Sequence, residues 1–303
     1  MELFKRVTTV DFMGMRKIIS ILSILVCVAS ILVIYFKGIA FGLEFTGGTQ
    51  IELRFDKPVE LNYLSKHLSE YGLSDLRIQH YGSTKDVLIR TSNQELASKV
   101  QDAFSNSTYT AEVRSIEYVG SEIGSQLAEQ GAIAIVIAIL AIMLYIAVRF
   151  EYRFAVSAAL GLVHDTLIVL GMLSLLQVDF DLATLASVLA MLGYSLNDTI
   201  VVFDRVRENF RVVRKGTTYE IINLAINQTL SRTIMTSFLT LLVVIALLIF
   251  GGTSLHGFSV TLFIGIIIGT YSSIYVSGAC AMYMGLSRSD FLPKVRAPLD
   301  GLP

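Results

Sequence analysis

The sequence predicts an α-helical membrane protein of six transmembrane helices, with one α+β domain of ferredoxin-like type inserted between the first two. Three observations carry that prediction. Of the 303 residues, 53% are hydrophobic and only 16% charged, where an ordinary soluble domain has about 25% charged. The missing charge reflects long uncharged runs, not an overall bias, since the net charge is −1. Lys and Arg also gather in the N-terminal segment and alternate loops, while the two short loops between them hold none, and the basic residues of the large inserted domain do not count because long domains translocate regardless of charge.

A helix needs about 20 apolar residues to cross a bilayer. The first run, Ile18 to Phe36 between Lys17 and Lys37, sits where a signal peptide would. Its core is too long and no small-x-small pattern closes it, so it reads as a span. The others are Gly131–Val148, Phe154–Leu176, Leu182–Phe203, Ile234–Phe250 and Phe258–Leu286. The last exceeds one crossing, so its end emerges or tilts.

Basic residues set the orientation. Lys5, Arg6, Arg16 and Lys17 precede the first span, and Arg149 and Arg153 separate the second and third. Arg205, Arg207, Arg211, Arg214, Lys215 and Arg232 lie between the fourth and fifth, and Arg288, Lys294 and Arg296 in the tail. The loops Gln177–Asp181 and Gly251–Gly257 contain neither Lys nor Arg. Both termini are therefore expected in the cytoplasm. The expected division is 1–37 (N-terminal segment and first span), 38–130 (extracytoplasmic domain), 131–287 (spans two to six) and 288–303 (cytoplasmic tail).

Residues 38–130 read as strand, helix, strand, strand, helix, strand. Ile51, Leu53 and Phe55 alternate with polar residues as in a half-buried strand. Leu61, Leu64, Leu68 and Tyr71 form one helical stripe, and Leu96, Val100, Ala103 and Phe104 a second. Leu76–Tyr81 and Val87–Thr91 flank a hairpin-like connection at 82–85, and Ala111–Val119 is the last strand. That order suits a split βαβ unit.

Composition and motifs exclude several functions. The balanced charge makes no case for nucleic acid. No GxxxxGK[ST] phosphate loop occurs, and no cofactor or metal is expected. Cys27 and Cys280 lie in apolar runs and read as packing residues, and His67 and His80 are isolated. The inserted domain reads as a binding or spacer module and the chain as a non-enzyme.

The informative residues are ionisable groups inside the apolar runs. Asp165 stands midway along Phe154–Leu176, ~16 Å from either end. A charge at that depth costs ~3 kcal/mol or more on insertion scales, and such residues mark ion or proton pathways. His164 precedes it. The fourth run carries Asn197 and Asp198 near its cytoplasmic end, and Arg205, seven positions on, shares the Asp198 face at ~10 Å. A buried Asp can also simply accept hydrogen bonds that hold two helices together. In the outer loop Asp181 reads as a helix N-cap, and with Asp179 as a possible entrance for protons. Gly265, Gly269, Ser273, Ser277 and Ala281 repeat every four positions as a close-packing seam.

The segment GYSLNDTIVVFDRVREN, Gly193 to Asn209, resembles the signature of the SecF family within the RND superfamily. GLEFTGG (Gly42 to Gly48), the His164–Asp165 pair, the stretch from Gln228 to Ser237 and FGG at Phe250–Gly252 follow in the expected order, so the resemblance covers nearly the whole chain. Glu44 stands where the family usually has Asp, and Leu239 where a Thr is expected. The resemblance implies half of an RND-type core, a SecD partner, the SecYEG translocon and translocating polypeptides as further partners, membrane lipid around the spans, and the proton-motive force as energy source. It implies a proton pathway of Asp165, Asp198 and Asn197, with Arg205 biasing the carboxylates and His164 beside them. Two other readings stay open: an uncoupled scaffold of the translocon, and an RND-type exporter of small molecules, against which the small inserted domain argues.

Overall fold

The computed structural model describes residues 8–291, except 72, 74, 75, 92–98, 101, 102, 105–108, 214, 288 and 289. Leu96 of the second expected stripe, Lys5, Arg6 and Arg214, and nearly all of the expected tail with its basic residues, lie outside the described residues.

Among the described residues six helices are long and apolar enough to cross a membrane. They are Arg16–Lys37, Ser121–Arg149, Tyr152–Leu176, Leu182–Val212, Thr218–Phe250 and a sixth in two pieces, His256–Ile274 and Val276–Tyr283. They are called spans one to six below. Spans two, four and five run well beyond the apolar stretches, because hydropathy marks a bilayer crossing whereas caps mark helix ends. Span five starts at a capping box, in which Thr217 and Glu220 each serve the other's backbone N–H. The over-long last run is interrupted at Tyr275, whose φ of −107° and ψ of −50° separate the two pieces.

About half of spans three and four is buried, against 11% of spans one and two. Span three is the hub, packed against spans one, two, four and six. The outer spans turn Ile, Leu and Val outward, as lipid-facing helices do. The small-residue seam packs within the chain. A β-carbon on Gly269 would lie 2.9 Å from that of Ser195, and one on Gly265 would collide with Met191. Span six therefore lies backbone-close on span four. Before span one, residues 8–13 are pinned across span five: Asn227 bonds Thr8 and both backbone groups of Val10, and Asn223 accepts from the Met13 N–H.

The inserted domain has strands β1 Gly48–Phe55, β2 Arg77–Tyr81, β3 Ser83–Thr91 and β4 Ala111–Val119, with a helix Leu61–Glu70 after β1. Its sheet order is β2-β3-β1-β4, every neighbouring pair antiparallel. β3 thus lies between the strands joined by the helix, which is the split βαβ arrangement. Ile51, Leu53 and Phe55 bury against Leu64, Leu68, Val87, Ile89, Val100 and Phe104. The hairpin is tighter than the expected connection at 82–85. Gly82 alone makes the turn, with φ of +79°, and β3 starts at Ser83, where Thr84 accepts from the Val59 N–H.

The domain's root is fixed by two glycines. Gly47 and Gly48 have φ of +68° and +117°, a region costly for any residue with a β-carbon. A β-carbon on Gly47 would also lie 2.6 Å from the Ser121 Cα. The chain can therefore leave the short helix Leu43–Thr46, cross the start of span two and enter β1.

Candidate functional site

Asp165 lies at the middle of span three with no exposed surface. Its Oδ1 is 2.9 Å from the His164 Nδ1. Its Oδ2 accepts from the Ser195 hydroxyl of span four at 2.6 Å and the Ser272 hydroxyl of span six at 2.8 Å. Three donors from three spans converge on one carboxylate, which offsets much of the desolvation cost of placing it there. The His164 ring stacks at 6.3 Å on Tyr271, whose hydroxyl meets the Ser23 hydroxyl of span one at 2.8 Å. The network thus links spans one, three, four and six.

Asp198 is buried one turn beyond Ser195 on span four. Its Oδ1 has a long contact of 3.5 Å from the Thr236 hydroxyl of span five, and Oδ2 has no hydrogen-bond partner among the described residues. Arg205, expected to bias the carboxylates, is engaged elsewhere: Nε donates to Gln228 at 2.7 Å and a terminal nitrogen to Glu208 at 2.6 Å. Arg205, Gln228 and Glu208 line a cleft of about 450 Å³ with Asp204 and Arg232. Asn197 is exposed, turned away from Asp198 around the helix.

The structure therefore brings His164 to Asp165 but does not join Asn197 or Arg205 to either carboxylate. Sequence reasoning missed Ser195, Ser272, Tyr271, Ser23 and Arg232. The signal for Ser195 and Ser272 was a hydroxyl at carboxylate depth in an apolar run, which reads equally well as a small packing residue. A second hydroxyl chain runs from Tyr194 to Ser237 at 3.0 Å and on to Thr270 at 2.7 Å, joining spans four, five and six. Leu239 faces outward, 55% exposed, so the expected Thr at that position would not have entered this chain.

At the domain end of the bundle, Asp181 caps span four through the Thr184 N–H at 2.6 Å. Asp179 is not an open mouth, because Arg90 and Gln79 of the inserted domain occupy its carboxylate. Nearby, burial pushes the Glu44 carboxyl above the ordinary range, with Asp181 and Glu117 adding to the rise and a backbone N–H and Arg90 opposing it.

Residues 99–287 match the family described as protein export membrane protein SecD/SecF, C-terminal, and residues 32–59 match the SecD/SecF GG motif. The chain belongs to the SecF family. It is 45% identical over 292 residues to protein translocase subunit SecF of Pseudomonas aeruginosa, covering 95% of each chain. It is 42% identical to SecF of Vibrio alginolyticus, covering 100% of this chain and 99% of that one. A crystal structure of SecDF, a translocon-associated membrane protein from Thermus thermophilus, superposes with a TM-score of 0.86 at 37% identity. That match covers 94% of this chain and 40% of the longer SecDF chain. The fold is thus that of a multi-pass SecF family member, and the GG motif is the Gly47–Gly48 pair at the domain's root.

Proposed function

We propose that this chain is the SecF half of a proton-coupled protein-export unit. It pairs with a SecD-type partner beside the SecYEG channel in the cell's inner membrane, with both termini cytoplasmic and the inserted domain outside, where that domain handles the emerging polypeptide. One observation carries the coupling: a buried carboxylate at the middle of span three that accepts hydrogen bonds from spans four and six. A proton added to Oδ2 turns an acceptor of two serine hydroxyls into a donor, so spans four and six must readjust against span three. Moving one charge through 100 mV releases ~2.3 kcal/mol, on the scale of the few kcal/mol that separate conformations.

In this reading Asp165 is the midplane carrier and His164 orients it. Asp198, Thr236 and the cleft of Arg205, Gln228 and Arg232 form the inner part of the path. Asn197 supports pairing with a second chain, since a polar side chain turned outward at membrane depth gains from a protein neighbour rather than lipid.

Co-reconstitution with the partner and channel in proteoliposomes tests the proposal. Asp165→Asn is expected to assemble normally and lose the increment in export that an imposed proton gradient produces. An undiminished increment would overturn it. The scaffold reading is favoured by the three hydrogen-bond partners that already hold Asp165, and it requires that collapsing the gradient leave this subunit's contribution to export unchanged.

A further inference from the structure

The loop Gln177–Asp181 is the direct connection between the span bearing Asp165 and the span bearing Ser195 and Asp198, and the inserted domain grips it. Arg90 of β3 donates to Asp179 from both terminal nitrogens, at 3.0 Å to Oδ1 and 2.9 Å to Oδ2. Gln79 of β2 adds a bond of 3.0 Å to Oδ2. Arg90 is itself held, since its Nε donates to Gln50 of β1 at 2.8 Å and its backbone pairs in register with Gln50 and Arg77. Three adjacent strands thus aim one guanidinium at one carboxylate. The forked geometry fixes orientation as well as distance, and both side chains are mostly shielded from water, with relative exposures of 17% and 25%.

The loop is tied at its neighbouring positions too. The Asp179 carbonyl accepts from the Thr184 hydroxyl of span four at 3.1 Å. Phe180 exchanges backbone hydrogen bonds with Ala40 and Gly42, at 2.7 Å and 2.8 Å, and its ring lies 5.7 Å from that of Phe45. Asp181 caps span four. So many independent ties suit a joint that stays closed and transmits displacement, not a latch that opens.

We propose that the Asp179–Arg90 pair is the mechanical joint that carries movement of spans three and four into the inserted domain. The joint rests on its own contacts, and it deepens the function proposed above by naming where the domain receives its drive. Rearrangement around Asp165 shifts the facing ends of spans three and four, the loop moves with them, and the sheet follows as a rigid body through Arg90.

The test replaces the ion pair with a covalent tie. Arg90→Cys and Asp179→Cys are introduced together in a Cys27→Ser, Cys280→Ser chain, co-assembled with the partner and channel. The unlinked variant is expected to assemble and to lose export ~5-fold or more, the size of a typical coupling free energy. A reversible bis-thiosulfonate linker spanning the two thiols is expected to restore export, and reductant to abolish it again. The charge swap Arg90→Asp with Asp179→Arg is expected to recover what either single change loses. Wild-type export from the unlinked pair, or no recovery on linking, overturns the joint. If Asp165→Asn keeps its proton-dependent export while linking still rescues, the joint stands and the proton reading falls.

Discussion

The Ser272 hydroxyl of span six donates to the Asp165 Oδ2 of span three at 2.8 Å, beside the Ser195 hydroxyl of span four. Two helices are thereby bonded to a third through one oxygen atom. Each donor removed costs this buried oxygen one of its two hydrogen bonds, ~1–3 kcal/mol. Ser195→Ala and Ser272→Ala are each expected to lower Tm in detergent, and to do so far less in an Asp165→Leu background. A thermodynamic cycle of the four variants measures the coupling, and equal losses in both backgrounds would show that the serines act without the carboxylate.

The contact of spans four and six depends on missing side chains. Gly269→Val places methyl groups where the Ser195 β-carbon already lies within 2.9 Å of the new Cβ. Overpacking of this kind costs ~1–3 kcal/mol, and the added bulk also separates Ser195 and Ser272 from Asp165. Loss of Tm together with loss of proton-dependent export is expected. Gly193→Ala, where a β-carbon meets open space, is the control expected not to lower Tm, since Ala favours a helix interior over Gly.

Asn227 is buried on span five and bonds Thr8, Val10 and the Asn223 carbonyl. Asn227→Ala strands the Val10 N–H, for ~1–3 kcal/mol, while the Val10 carbonyl keeps its bond from the Asn223 amide at 3.0 Å. The residues before span one should become accessible to protease on the intact membrane protein while the spans remain protected. Unchanged cleavage would show that other contacts hold the segment.

Glu44 carries a pH dependence of defined sign. Its carboxyl is raised on folding, first by burial. The protonated form therefore suits the folded state, and this contribution to stability is fully present below pH ~4.3, the unperturbed glutamate value. It is lost as pH rises through the raised folded value. Glu44→Gln, neutral throughout, is expected to raise Tm at pH 7 and to leave it unchanged near pH 4. A gain of the same size at both values would trace the effect to packing.

The six apolar helices were legible in the sequence because their signals are local. A run of apolar residues long enough to cross a bilayer is a property of one segment, and so is an Asp at its centre. The alternation of Ile51, Leu53 and Phe55 likewise set the buried face of β1 before any partner strand was known, and Asp181 was readable as a cap because capping spans three residues. The carboxylate at the middle of span three, and the four strands of the inserted domain with the helix after the first, belong to this class.

Tertiary structure alone decided what those residues meet. Helical periodicity places Asp198 and Arg205 on a common face, yet it says nothing of Gln228 on the next span, which captures the guanidinium first. Nor does it say which side of span four turns inward, and so it grouped Asn197 with Asp198 although one is exposed and the other buried. Ser272 lies far along the chain from Asp165, and Arg90 far from Asp179, so no spacing rule links them. Which helix packs against which, and at what rotation, depends on the fit of small residues such as Gly265 and Gly269 against Met191 and Ser195. That fit is settled only when all the surfaces are assembled.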